Sequence, residues 1–169
     1  MRKNTRHLVH CAMIAALYMV LTHLQNLLIP GSATFAIQFR ASEALCVLSF
    51  FTPAAIPGLT LGTLLFNIST NALPLDFLLG SLATLATAVS MRACRNITIR
   101  SYPLLGLLIP AFWNGLIIGW ELAVIMGGGF WYNAITVAIG EAAVLLTLGS
   151  ALYYALHVRN LDKKLLHNL

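Results

Sequence analysis

Six stretches of mostly apolar residues run along the chain, separated by short breaks that contain proline, glycine or polar residues. They predict helices at about residues 8–28, 40–52, 54–70, 76–92, 103–121 and 131–157. A helix that crosses a bilayer needs about 20 apolar residues. The second and third stretches are shorter, so we expect the turn between them, near Pro53, to lie inside the protein rather than at a membrane surface.

Composition identifies these helices as membrane helices. Of the 169 residues, 59% are hydrophobic and only 9% are charged, too few charges to cover a soluble core of this size. We therefore predict an all-α integral membrane protein with six transmembrane helices in one domain, residues 1–169. The widely separated Cys11, Cys46 and Cys94 lack metal-site or disulfide spacing and are interpreted as packing residues.

The basic residues give this bundle an orientation. With the N-terminus in the cytoplasm, nine of the ten Lys and Arg residues fall on the cytoplasmic side, and only Arg40 falls outside. The positive-inside rule therefore predicts that both termini are cytoplasmic. Because topology accounts for the net charge of +5, we do not interpret that charge as a nucleic-acid-binding surface.

Four of the five acidic residues lie in or beside the apolar stretches, together with Arg40. A charge inside a bilayer costs at least a few kcal/mol, so these residues are candidates for function. In the predicted topology Glu43, Asp76 and Glu121 lie near the outer ends of helices. Glu141 lies about ten residues into the sixth helix, roughly 15 Å from its outer end. The pattern indicates a polar binding site that opens to the outside.

Each charged residue of this set has a structural explanation beside a functional one. Arg40 and Glu43 are three residues apart, so they could simply neutralise each other and anchor the second helix. Asp76 could cap the fourth helix as readily as contact a ligand, and Glu121 is interpreted as a solvated rim residue. Glu141 has no cation near it in sequence and requires Arg40, a proton or a ligand that donates hydrogen bonds.

Uncharged residues at similar depth extend the candidate site. Asn114 lies about seven residues below Glu121 on the fifth helix, and Asn67 ends the third helix on the same side. Trp113 is deep for an interfacial aromatic residue and could stack on a planar ligand, although an aromatic belt is the default explanation. The sequence contains no HExxH, GxSxG or P-loop motif, so it offers no catalytic or nucleotide-hydrolysing signature and no sign of a cofactor.

Small residues four apart mark faces on which helices can approach closely. The pairs Gly58 with Gly62 and Gly115 with Gly119 are interpreted as internal packing contacts. Ala12 and Ala16, near the cytoplasmic end of the first helix, could instead face a partner protein.

The segment from Ile37 to Leu45, which reads IQFRASEAL, resembles the QFRxSEAL signature of the QueT family. Weaker similarities follow in family order over nearly the whole chain: PAAIPGL from Pro53, Asp76 with GSLATL from Gly80, Pro110 with Asn114, and Gly140 with Glu141. One departure is Ser49, where we expect proline.

The resemblance implies a substrate-binding S component of an energy-coupling factor (ECF) transporter in a bacterial plasma membrane. It implies a six-helix S-component fold and partnership with a membrane T subunit, contacted by Ala12 and Ala16, and with two ATPase subunits. The implied substrate is a queuosine precursor, a 7-deazaguanine such as preQ1, preQ0 or queuine. Glu141 or Glu43 could accept its N1–H and exocyclic amine together, and Gln38 or Asn114 could read its carbonyl edge.

Two alternatives stay open at this point. The chain could be an S component for another vitamin-like heterocycle, since one fold serves many substrates. It could also be a small ion-coupled carrier that acts as a homodimer. An intramembrane enzyme is disfavoured because no nucleophile and base are suggestively paired in the sequence.

Overall fold

The computed structural model describes residues 3–30, 39–70, 74–99 and 102–158, and these ranges form helices joined by short turns. A 3-10 helix at Ala41–Val47 and a π-helical turn at Leu145–Gly149 interrupt the α-helical pattern. The α-helices are α1 (Lys3–Leu28), α2 (Leu48–Phe51), α3 (Ala55–Ser69), α4 (Pro74–Ala93), α5 (Leu104–Ile125), α6 (Phe130–Val144) and α7 (Ser150–Val158).

Four of the helices are long and apolar enough to cross a membrane: Asn4–Leu28, Leu75–Asn96, Leu104–Ile125 and Phe130–His157. The last of these joins α6, the π-helical turn and α7 into one helix. The two shorter apolar helices, Ala41–Phe51 and Ala55–Ser69, confirm that the second and third predicted stretches are shorter than a full span. The chain is therefore a multi-pass membrane protein, while the count of six transmembrane helices and the cytoplasmic termini stay predictions.

Neighbouring helices pack in the order α1, α3, α4, α5 and α6. A methyl group added at Gly62 would lie 2.8 Å from the Tyr18 Cβ atom on α1, and one added at Gly119 would lie 2.6 Å from the Ala134 Cα atom on α6. The interpretation of both glycine pairs as internal packing contacts is thus confirmed, because only a hydrogen side chain permits these backbone approaches.

The 3-10 helix lies in the middle of the bundle. It packs against α1, α3, α4, α5, α6, α7 and the π-helical turn, and all its residues from Ser42 to Val47 are buried. Seven residues is long for a 3-10 helix, whose hydrogen bonds are less favourable than those of an α-helix, and such stretches often mark functional segments. The predicted second helix, at about residues 40–52, is present as a helix over Ala41–Phe51, but its first seven residues are 3-10 rather than α-helical.

Residues 40–51, the 3-10 helix with its preceding residue and α2, form a central segment whose two ends are held by polar side chains. Gln25 of α1 accepts a hydrogen bond from the Ala41 backbone N–H at 2.6 Å and donates one to the Phe39 carbonyl. At the other end, the Arg92 guanidinium donates to the Phe50 carbonyl at 3.0 Å. The turn before α3 is buried at Thr52 and Ala54, which confirms that it lies inside the protein. Arg92 satisfies a backbone carbonyl that the end of α2 would otherwise leave unpaired.

Candidate functional site

The central segment begins at Arg40, which is half-buried and has an extended backbone conformation. Its guanidinium interacts electrostatically with the carboxylates of Glu43 and Glu141, and also with that of Glu121. These acids come from the 3-10 helix, α6 and α5. The only basic residue predicted to lie outside the cytoplasm is therefore positioned among the acids that share the apolar stretches.

Glu43 is held by hydrogen bonds to both of its oxygens. It is 1% exposed; its Oε1 accepts from the Tyr18 hydroxyl at 2.5 Å and its Oε2 accepts from the Cys46 thiol at 3.1 Å. Arg40 and Thr63 also lie close enough to interact with the Tyr18 side chain. A buried carboxylate needs such donors, since an unpaired one is very costly. Glu43 thus links α1 to the central segment.

Glu141 has a different environment. It is 1% exposed on α6, it interacts with the side-chain amide of Asn114 on α5, and it lies close enough to Glu43 for the two acids to interact electrostatically. Within the described ranges, its Oε2 atom has no hydrogen-bond partner. Native proteins rarely leave a buried carboxylate oxygen unpaired, so this atom marks a position where a donor is required.

A second pair of acids lies on α4 and α5. The carboxyl group of Glu121 shares a side-chain hydrogen bond with that of Asp76, which stands in the first turn of α4. Asn67 donates to the Asp76 backbone carbonyl at 3.2 Å and thereby connects the end of α3 to this pair. Glu121 is only 3% exposed, so its interpretation as a solvated rim residue was wrong: α4 covers it.

The remaining predicted residues are placed less centrally. The Trp113 indole N–H donates to the Ser90 hydroxyl of α4 at 3.0 Å, and its ring packs edge-on against Phe112. Gln38 lies outside the described residues. Ser49, the departure from the family signature, is fully buried in α2.

Sequence reasoning missed Tyr18, Cys46 and the hydroxyl groups that surround Glu43. Tyr18 and Thr22 are four apart on α1, and the Thr22 hydroxyl donates to that of Ser42 at 2.7 Å. Thr63 and Asn67 have the same spacing on α3. Polar side chains four apart on an otherwise apolar helix share one face, and that pattern could have identified both helices as contributors. Cys46 packs in the core as expected and is also a hydrogen-bond donor.

The arrangement offers hydrogen-bond acceptors and negative charge rather than reactive groups. Among the described residues, no three His, Cys, Asp or Glu side chains lie together as a metal site would require. Carboxylates from three helical elements around one guanidinium can instead recognise a polar ligand that carries several N–H donors.

One face of α1 lies opposite this interior. Ala12 and Ala16 are exposed, as are their neighbours Met13 and Leu17, while Ala15 is buried against Gly62 of α3. The two predicted partner-contact alanines therefore lie on the outer surface of the bundle, where small side chains permit close approach by another helix.

Comparison with known proteins identifies a family. A family model described as QueT transporter matches residues 8–158, a range that includes every described residue of the cluster around Arg40. No curated protein and no solved structure matches the chain significantly.

We predict that Tyr18→Phe lowers the thermal unfolding temperature of the purified protein. The change removes the hydroxyl that donates to Glu43 and leaves a buried carboxylate oxygen unpaired, which costs about 1–3 kcal/mol. Fluorescence-monitored unfolding in detergent measures the effect. Tyr132→Phe is the matched control, because Tyr132 is 67% exposed. Equal unfolding temperatures for the two variants would contradict the structural role of the Tyr18–Glu43 bond.

Proposed function

The chain belongs to the QueT transporter family, and from this premise we propose that it is the substrate-binding S component of an ECF-type transporter and takes up a 7-deazaguanine from outside the cell. QueT proteins form a transporter family, so the chain is a membrane transport protein. The substrate, the ECF coupling and the partner subunits are the proposed part. The observation that carries the proposal is the buried, incompletely paired carboxylate of Glu141.

A 7-deazaguanine presents N1–H and an exocyclic amine along one edge. A carboxylate can accept both hydrogen bonds in a bidentate arrangement, which is stronger than a pair of neutral hydrogen bonds. Glu141 suits this role because its Oε2 atom is unpartnered within the described part of the chain. Glu43 suits it less well, since Tyr18 and Cys46 already donate to its two oxygens. We therefore assign ring recognition to Glu141 and the anchoring of Arg40 and Tyr18 to Glu43.

The carbonyl edge of the base requires donors. Asn114 interacts with Glu141, so its amide is at the right depth to contact the same ring, and the Arg40 guanidinium adds donors nearby. Gln38 stays a predicted contact. Asn67 donates a hydrogen bond to the backbone carbonyl of Asp76, and the Trp113 indole donates one to the Ser90 hydroxyl. In this proposal these two residues lie at the periphery of the binding site.

Energy for uptake must come from partner subunits, because the sequence contains no nucleotide-binding motif. In the proposed complex a T subunit packs on the exposed face of α1 at Ala12 and Ala16, and two ATPase subunits complete the transporter. The face has the composition of a helix-packing surface within a bilayer, where small residues replace the hydrophobic driving force that operates in water.

We predict that Glu141→Gln weakens binding of 7-deazaguanines at least tenfold, which corresponds to about 1.4 kcal/mol. Glutamine keeps the shape but loses the charge and one acceptor. Isothermal calorimetry of the detergent-purified protein measures the affinity. Thr136→Val is the isosteric control on the same helix, because its hydroxyl bonds to carbonyls of the preceding turn.

Unchanged affinity in Glu141→Gln would refute the role of Glu141. No binding of any 7-deazaguanine would refute the proposed substrate. Binding of riboflavin or thiamine in place of a 7-deazaguanine would instead support an S component for another heterocycle.

We predict that Ala12→Leu combined with Ala16→Leu disrupts assembly with the T subunit and ATPases and abolishes ATP-driven uptake into liposomes, while substrate binding by the isolated chain is retained. The larger side chains block close helix approach. Ala143→Leu is the matched control, because Ala143 is an exposed alanine on a different helix, α6. Uptake by the chain alone in liposomes would contradict the ECF assignment and support the homodimeric carrier.

A further inference from the structure

In the predicted topology, the outer half of the protein carries more negative than positive charge. Its formal charges are the four carboxylates of Glu43, Asp76, Glu121 and Glu141 against the single guanidinium of Arg40. Every other Lys and Arg belongs to the N-terminus, the C-terminus or the region of residues 92–100. A further side chain that can carry positive charge is His23 of α1, which bonds to the Ser69 hydroxyl at 2.8 Å and packs edge-on against Phe66. In a low-dielectric interior such an excess must be balanced by protons or by a cation that enters.

Asp76 and Glu121 form one part of this negative charge. Their carboxyl groups lie within hydrogen-bonding reach of each other. Two ionised carboxylates have no proton to donate, so the pair needs either a shared proton or a cationic donor. Glu121 is 97% buried (3% exposed), and its Oε1 atom has no hydrogen-bond partner in the described portion of the chain. A buried acceptor without a donor, beside a second carboxyl group, is an environment that a protonated amine can satisfy with charge-assisted hydrogen bonds.

The order of groups across the cluster adds a geometric argument. Arg40 interacts electrostatically with Glu141 and also with Glu121, so one guanidinium is within reach of both the ring-binding carboxylate and the Asp76–Glu121 pair. Along the edge of a 7-deazaguanine, the groups follow as exocyclic amine, N1–H, carbonyl oxygen and the substituent on C7. In the proposed arrangement the first two groups contact Glu141, the carbonyl contacts the Arg40 guanidinium, and the C7 substituent contacts Asp76 and Glu121.

We propose that the Asp76–Glu121 pair binds a cationic amino group on the C7 substituent of the ligand, so that the protein selects aminomethyl-bearing 7-deazaguanines over the neutral 7-cyano and unsubstituted bases. This inference rests on the proposed function, because it takes ring recognition by Glu141 as given. The two acids are specificity-determining residues in this account: they contact the substituent and leave the ring contacts unchanged.

Calorimetry with three ligands tests the inference: 7-aminomethyl-7-deazaguanine, 7-cyano-7-deazaguanine and 7-deazaguanine. We expect the wild-type protein to bind the aminomethyl base at least tenfold more tightly than either neutral base. Glu121→Gln and Asp76→Asn should each remove most of that preference and leave the affinities for the neutral bases within about threefold of wild type. Thr136→Val should change neither the preference nor the affinities.

The possible failures are distinguishable. If all three bases bind the wild type equally, the inference is overturned while the proposed substrate class stands. If none binds, the proposed function itself is wrong. If Glu121→Gln and Asp76→Asn weaken all three bases by the same factor, the pair has a structural role and the inference is overturned. Equal binding by the wild type overturns the inference without any variant, and either Glu121→Gln or Asp76→Asn, whichever folds, tests the assignment to the pair.

Discussion

The arrangement of the helices in the interior of this protein depends on the free-energy cost of burying the Glu43 carboxylate. Glu43 lies in the middle of a membrane-embedded bundle, where an unpaired carboxylate is strongly destabilising. Tyr18 and Cys46 donate to its two oxygens, and Arg40 provides the opposite charge. These bonds join α1 to the central 3-10 helix and so define the geometry around which the other helices pack. Gly58 and Gly62 permit α3 to pack directly against α1 beside Tyr18.

The position of the central 3-10 helix among the other helices creates the candidate binding site. Because this helix contacts nearly every other helix, the residue that immediately precedes it, Arg40, can interact with acids on α5 and α6 at once. Glu43 is saturated by protein donors, whereas Glu141 and Glu121 each retain an unpartnered oxygen within the described ranges. We interpret the saturated acid as structural and the other two as sites for a ligand, consistent with a transport protein that must bind and release its substrate.

The sequence predicted a membrane protein, the positions of the breaks between helices and the set of charged residues in or beside apolar stretches. Hydropathy and the rarity of acidic residues in membrane helices are local signals, so they can be seen in the sequence alone. It did not predict the 3-10 conformation, since a short apolar run has no distinguishing period and its packing partners are distant in sequence. Tyr18 was missed because its bond to Glu43 joins residues 25 positions apart. The burial of Glu121 was missed because a neighbouring helix, α4, covers it.

An experimentally determined structure of the protein with bound 7-aminomethyl-7-deazaguanine tests the central claim most directly. The account predicts that the N1–H and exocyclic amine of the base lie about 2.7–3.2 Å from the Glu141 carboxylate oxygens, with Glu43 still bonded to Tyr18. A base bound elsewhere, with Glu141 satisfied only by protein groups, would contradict it.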